Sequence, residues 1–220
     1  MSAPAPAKLQ PQHRDSRENI LAAAGEIFSE RGYEAATIKQ ITDRAGVNVA
    51  SVNYYFRDKL GLYTEVLRQG LHNAKLALGP ECACLSPEER LTRYIHSFMQ
   101  SVLAVGKPSW CGRMMMRELA QPTPALPQIV EEIMRPNFQL LRQLVSDVAG
   151  VPLEDETHRL LTHSVLAQCG HWKTARPIFP YLWPELSLDE ETVQRITRHI
   201  AAFSIAGIRA AAAAAKEVAE

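Results

Sequence analysis

Apolar residues recur along this chain at spacings of three and four, the period of an amphipathic α-helix, and not in the alternation of a strand. In the first such segment, Ile20, Ala24, Ile27 and Phe28 fall on one face. Gly32 follows as a helix stop, because glycine adopts a left-handed conformation at low cost. The sequence contains no Asn-Gly or Asp-Gly hairpin turn and no alternating run of β-branched residues. The pattern therefore predicts an all-α fold.

Capping residues and Gly or Pro breaks set the limits of the predicted helices. Thr37, Asn48 and Asp58 stand where N-caps are expected, and Ser86 followed by Pro87 and by Glu89 at the third helical position has the form of a capping box. The predicted helices cover about residues 16–31, 38–45, 49–56, 59–78, 87–105, 109–120, 125–149, 155–175 and 188–214.

These helices divide the chain into three predicted parts. Residues 1–14 are rich in Ala, Pro and Gln and have no apolar core, so we expect a disordered arm and no secretory signal. Residues 15–65 are predicted to form a three-helix head. Residues 66–220 are predicted to form an all-helical body, with the boundary inside the long helix that begins at Lys59.

The segment from Thr37 to Phe56 has the pattern of a helix-turn-helix, two short helices joined by a glycine-containing turn. We expect the small residues Ala45 and Ala50 where the two helices cross. The apolar residues that we expect to face inward are Ile38, Ile41, Val47 and Val52. The second helix of such a motif lies in the major groove of DNA, and the outward polar groups expected there are Asn48, Ser51, Asn53 and Tyr54.

Residues 17–67 resemble the DNA-binding domain of the TetR family of bacterial regulators. The similar features are Phe28-x-x-x-Gly32-Tyr33, then Thr37, then Ala45-Gly46-Val47, then Tyr55-Phe56-x-x-Lys59. The resemblance implies phosphate contacts from Thr37 and Lys59 and backbone contacts from Tyr54 and Tyr55. The complete set of expected DNA-contacting residues is Thr37, Arg44, Asn48, Val49, Ala50, Ser51, Asn53, Tyr54, Tyr55 and Lys59.

Asn53 departs from the family pattern, in which many members have tyrosine at this position. An asparagine side chain pairs with adenine through two hydrogen bonds, which is worth about 1–3 kcal/mol of discrimination against the wrong base. We therefore expect a base preference different from that of most members.

The segment from Arg113 to Val145 resembles the C-terminal domain of the subgroup that includes CecR. The resemblance rests on Arg117-Glu118, Pro122-Thr123-Pro124 and Arg135-Pro136, and it implies a helical ligand-binding and dimerisation body. Methionine-rich walls adapt their shape, so we expect an apolar or amphipathic small-molecule effector. The expected ligand-binding residues are Trp110, Arg113, Met114, Arg117, Phe138, Gln168 and Trp172.

The last two long helices are the candidates for a homodimer interface, since a two-fold dimer reads both halves of a palindromic operator. Apolar stripes at helical spacing support this hypothesis. The alternative is that both stripes pack in the core of a single chain. The expected interface residues are Leu161, Val165, Trp172, Ile196, Ile200, Phe203 and Gly207.

Charge and composition limit the other classes of function. With 24 basic and 24 acidic residues, the chain is not uniformly basic, although a local basic surface remains compatible. No apolar run approaches the roughly 20 residues that span a bilayer. Four cysteines without an export signal are typical of reduced thiols, so we expect a cytoplasmic protein without contact with a membrane.

Rival functions have weaker support in the sequence. No glycines have the spacing of a nucleotide-binding loop, and no histidine follows a glutamate by three residues, so we expect neither catalysis nor a cofactor. A metal- or redox-sensing regulator would use Cys82, Cys84, Cys111 and Cys169 with His163 and His171. A DNA-binding protein without a ligand is the third alternative. The favoured hypothesis is a repressor that a small effector releases from its operator, with no metal.

Overall fold

The computed structural model describes residues 11–72, 79, 82, 84–103 and 109–219. All regular elements within these residues are helical, as the sequence pattern predicts. They are α1 (Pro11–Ala35), α2 (Ile38–Ala45), α3 (Val49–Phe56), α4 (Lys59–His72), α5 (Pro87–Val102), α6 (Ser109–Ala120), α7 (Leu126–Ile129), a π-helical turn (Val130–Met134), α8 (Arg135–Ala149), α9 (Asp155–Thr174), α10 (Phe179–Leu182) and α11 (Glu190–Ala219).

Most of the predicted helix limits are confirmed, and the differences are local. Helix α1 begins at Pro11, so residues 11–14 of the expected disordered arm are helical, while residues 1–10 lie outside the described residues. Its regular geometry breaks at Gly32, where φ is 80°. The helix expected over residues 125–149 is divided by the π-helical turn, and α10 lies in a segment expected to be a break. The helix ends expected at residues 78 and 105 lie outside the described residues.

The described residues form two compact units. The head unit contains those within Met1–Gly70 and Pro108–Ile129, and the body unit contains those within Leu71–Lys107 and Val130–Glu220. The predicted boundary at residue 65 lies close to the first division. It does not anticipate that α6 and α7 group with the head helices.

Each unit has its own apolar core. In the head unit, α1 packs against α2, α3 and α6, with Phe28 and Tyr63 in edge-to-face contact at 4.9 Å between ring centroids. In the body unit, α5, α8, α9 and α11 pack together. The largest buried residues of the body core include Leu91, Tyr94, Ile95, Met99, Leu141, Leu144, Ile196 and Ile200.

Candidate nucleic-acid interface

Helix α3 separates a buried face from an exposed one. Val52 and Phe56 are buried in the head core. On the opposite face, Asn53 is exposed and the Tyr54 side chain is 70% exposed. Asn48, Val49 and Ala50, which open the helix, are also exposed. Ala50 therefore does not lie where the two helices cross, and its exposure agrees with its alternative place at the groove.

The N-terminus of α2 is closed by a capping box formed by Thr37 and Gln40. The backbone N–H of Gln40 donates to Thr37 Oγ1 at 3.3 Å, and the backbone N–H of Thr37 donates to Gln40 Oε1 at 3.1 Å. Other N–H groups of the first turn have no acceptor inside a helix, and they favour an anion at this end. Because the Thr37 hydroxyl accepts within the cap, its own proton remains free to be donated to a phosphate.

The turn between α2 and α3 is fixed by Gly46 and Asn48. Gly46 has φ of 67°, and its N–H donates to the Thr42 carbonyl to end α2. Asn48 Oδ1 accepts from the backbone N–H of Ala50 at 2.9 Å and so caps α3. The side-chain oxygen of Asn48 therefore positions the helix, while its NH₂ group remains a donor for a base edge.

Cationic side chains beside the motif have partners within the head unit. Lys39 pairs with Asp43 at 2.9 Å, and Arg44 pairs with Glu26 at 3.1 Å. All four side chains are at least 46% exposed, and exposed pairs of this kind are typically worth about 0.2–1 kcal/mol. A DNA phosphate therefore competes with a weak internal partner for each cation.

Lys59 is held at the N-terminus of α4. Its Nζ donates to the Glu34 carbonyl at 3.0 Å and lies 4.7 Å from the centroid of the Tyr33 ring. Burial, with the nearby carboxylates of Glu34 and Asp58, raises the pKa of Tyr33, which keeps the ring neutral beside the ammonium group. Lys59 thus stabilises the head itself, in addition to the phosphate contact expected of it.

The remaining expected DNA contacts are half-buried. Ser51 and Tyr55 each expose part of their surface, and the Tyr55 ring packs 4.9 Å from that of Tyr54. The ten expected DNA-contacting residues therefore all retain exposed surface within a single motif of the head unit. Their contacts with DNA stay a prediction.

Helix α6 packs against α1 through residues that sequence reasoning assigned to a ligand pocket. A methyl group built at Gly25 would lie 2.5 Å from the Trp110 ring, so the two helices meet closely there. Arg113 donates to the Ser29 hydroxyl at 3.1 Å, and Arg117 donates to the Glu30 carbonyl at 3.3 Å. These three side chains, with the buried Met114, belong to the head unit.

Glu118 joins α6 to α4 and to the turn that follows α6. Its side chain is fully buried, and it accepts from Tyr63 Oη at 2.7 Å and from the N–H and hydroxyl of Thr123 at 2.9 and 3.0 Å. Burial, followed by the hydrogen bond to Glu118, raises the pKa of Tyr63, so the phenol remains the donor. The sequence signal for this arrangement was the Arg117-Glu118 pair, whose partners no periodicity reveals.

The other expected ligand-binding residues lie in the body unit. Phe138 packs against His163 at 5.3 Å between ring centroids, and Trp172 packs against Phe179 at the same distance. Gln168 donates to Ser204 Oγ at 3.3 Å. The ligand role of all seven residues stays a prediction, and the contacts above give each of these three a structural partner.

The expected dimer residues separate into two groups. Val165, Ile196 and Ile200 are buried in the core of the body unit, which agrees with the alternative that these stripes pack within one chain. Leu161 and Trp172 are half-buried against that core. Phe203 is 66% exposed, and a methyl group built at Gly207 would meet no atom within 4 Å. Of the seven, Phe203 and Gly207 offer the most accessible surface to a partner.

The structure gives little support to a redox or metal sensor. Cys169 is buried in the body core, and burial raises the pKa of its thiol to about 12, so it remains in the unreactive thiol form. Within the part of the chain that the structure describes, no three His, Cys, Asp or Glu side chains converge to hold a metal ion. In the same residues, no helix is long and apolar enough to cross a membrane.

A capped helix-turn-helix with an exposed second helix, followed by a helical body, defines the class of DNA-binding transcription regulators. Residues 20–66 match the family of bacterial regulatory proteins named after TetR. Residues 87–208 match the C-terminal domain of the HTH-type transcriptional dual regulator CecR. The chain therefore belongs to the TetR family of transcription regulators, with a CecR-type C-terminal domain, and it is not an enzyme.

Two relatives match different lengths of the chain. The HTH-type transcriptional dual regulator CecR of Shigella flexneri is 23% identical over 84% of this chain and 87% of that protein. The HTH-type transcriptional activator FasR of Mycolicibacterium smegmatis is 44% identical over 61 residues, which are 27% of this chain and only 28% of FasR. The second relationship is thus confined to a short segment.

Solved structures show the same fold. The hemolysin II transcriptional regulator HlyIIR is 26% identical, with a TM-score of 0.57 over 85% of this chain and 97% of that one. AibR is 16% identical, with a TM-score of 0.60 over 82% of this chain and 94% of that one, and this likeness concerns the fold alone.

Proposed function

We propose that this protein is a homodimeric repressor that binds a palindromic operator and is released from it by a small apolar or amphipathic effector. The observation that supports DNA reading most directly is the exposed face of α3 beside the capped N-terminus of α2. Because the target is bacterial DNA, we place the protein in the cytoplasm.

The dimer is proposed on the face of α11 that contains Phe203 and Gly207. These residues are four apart and therefore share one side of the helix. Leu160 of α9 is a further apolar side chain of the body unit that is 61% exposed. Exposed apolar surface of this kind is typical of protein interfaces, and two linked heads match the two halves of a palindrome.

Ligand response is supported by a relative of the same fold. AibR was solved in complex with isovaleryl coenzyme A and operator DNA, so that protein binds both a small molecule and DNA. For the present chain, the effector must bind better to a state whose heads do not fit the operator, since only a difference in affinity shifts an equilibrium.

The deciding experiment is a binding titration of the purified protein against DNA from upstream of its own gene. Thr37→Ala and Lys59→Ala are each expected to weaken binding to the palindrome at least fivefold, because each removes one phosphate contact. Ser86→Ala is the matched control: Ser86 forms the same capping box as Thr37, but at the start of α5 in the body unit. It is expected to lower stability without changing the intrinsic affinity for DNA.

Equal weakening by Ser86→Ala and Thr37→Ala would show that loss of a cap, and not loss of a phosphate contact, explains the effect. Binding no tighter than to random DNA at every operator candidate in the genome would contradict the proposal.

A further inference from the structure

A cleft of about 480 Å³ lies within the body unit, between the first turns of α5 and those of α11. Its size is within the range of small-molecule sites. Leu85 and the aliphatic parts of the threonine and arginine side chains supply apolar lining. The residues on which the following argument depends are Thr92, Arg93, His96, Gln194, Thr197 and Arg198. None of them belongs to the ligand site expected from the sequence.

Thr197 is the buried polar group of this cleft. The residue is only 3% exposed, and its Oγ1 is the buried side-chain oxygen that, among the described residues, has no hydrogen-bond partner. Leaving such a group unsatisfied is unfavourable, and one that lines a cleft is positioned to bind a ligand atom. The hydroxyl is able to donate to an anionic oxygen.

The charge of the cleft favours an anion. Arg93 and Arg198 both line it with exposed side chains, and His96 is half-buried between the same helices. The two carboxylates that also line the cleft have cationic or hydrogen-bonding partners. Glu88 accepts from Arg209 at 2.5 Å, and Glu89 accepts from the N–H and hydroxyl of Ser86 at 2.8 and 2.9 Å.

We propose that this cleft binds an amphipathic anion, with a carboxylate or phosphate group at Thr197, Arg93 and Arg198 and an apolar portion toward Leu85. Guanidinium groups recognise both anions through paired hydrogen bonds. The role of this ligand as the effector rests on the proposed function, whereas its binding to the cleft does not.

The test is calorimetric titration of the full-length protein with four eight-carbon probes: octanoate, octyl phosphate, 1-octanol and octylamine. At least one anion is expected to bind no less than tenfold more tightly than the alcohol, and the amine is expected to bind more weakly than either anion. A preference between the two anions identifies the head group. If neither anion binds more tightly than 1-octanol, the proposal is wrong.

Two variants test the location of the site. Thr197→Val keeps the volume and removes an unsatisfied hydroxyl, so it is expected to fold at least as stably, and Arg198→Gln removes one charge at the surface. Each is expected to weaken anion binding at least fivefold. The controls in the same unit are Thr162→Val, which removes a buried hydroxyl bonded to the His158 carbonyl at 2.8 Å, and Arg135→Gln, which removes an exposed cation. Unchanged binding in both test variants would overturn the assignment.

The same probes are then added to the protein bound to its operator. Anion binding that weakens the DNA complex supports both the site and its role as the effector site. Anion binding without any change in DNA affinity supports the cleft and contradicts its role as the effector site. Release of DNA by a different compound, with no anion bound, leaves the proposed function intact and overturns this inference.

Discussion

Individual residues of the head unit depend on close contacts that chemical type alone does not reveal. Gly25 lies in the middle of α1, where alanine would ordinarily be preferred because glycine lowers helix stability. Its position against the Trp110 ring explains the exception, since there is no room for a methyl group.

Gly25→Ala is therefore expected to lower the free energy of unfolding by about 1–3 kcal/mol, as is typical when a packed contact is overfilled. Urea denaturation followed by circular dichroism measures the change. Gly70→Ala is the matched control, because its added methyl group would meet Cys111 at an ordinary 3.5 Å. That variant should gain about 0.5–1 kcal/mol from the better helix former. Destabilisation of the same size in both would contradict the explanation.

Among helices, the sequence predicted limits better than neighbours. The starts of α2, α3 and α5 follow from Thr37, Asn48 and Ser86, whose side chains bond to backbone groups two or three residues away. Such signals are local and can be read directly. The partner of an amphipathic face is not local, which is why α6 was assigned to a ligand pocket although its side chains contact α1 and α4.

The hydrogen bond between Tyr63 and Glu118 is expected to stabilise the contact of α4 with α6. Tyr63→Phe should cost about 1–3 kcal/mol of unfolding free energy, because it removes a donor from a buried acceptor. Adding Glu118→Gln in a double-mutant cycle should reveal a coupling energy between the two positions. Tyr181→Phe serves as control, since that residue is 85% exposed and its hydroxyl is expected to contribute nothing measurable.

The pairing of Arg44 on α2 with Glu26 on α1 is expected to limit DNA affinity. Glu26→Gln removes the internal partner of Arg44, and operator binding should tighten about two- to fivefold, which corresponds to an exposed ion pair of up to 1 kcal/mol. Glu30→Gln, a change of equal charge on the same helix, distinguishes the specific pair from general repulsion of DNA. An equal gain in both variants would exclude a particular role for the pair. Fluorescence anisotropy at fixed salt measures both affinities.

At the scale of the whole molecule, the exposed apolar surface of α11 is the feature with the broadest consequence. Phe203 is a large apolar side chain on a helix whose other face already fills the body core. The chain thus has separate residues for its own folding and for the proposed association.

Phe203→Glu is accordingly expected to convert the proposed dimer to a monomer without unfolding it, since the side chain is already exposed in one chain. Sedimentation velocity measures the state, and operator affinity should fall at least tenfold because the two heads are no longer linked. Leu119→Glu is the control, a similar change at a residue 55% exposed in the head unit. A dimer that persists in Phe203→Glu would place the interface elsewhere.

The internal partners of Lys39 and Arg44 also bear on how the complex responds to ionic strength. When a cation binds a DNA phosphate, it displaces condensed counterions, and the affinity then falls steeply as salt is added. Here each such event also releases Asp43 or Glu26, which attracts cations from the solvent. The net release of ions per phosphate contact is therefore smaller than one contact would give. A salt titration of this complex would consequently count fewer phosphates than the protein touches.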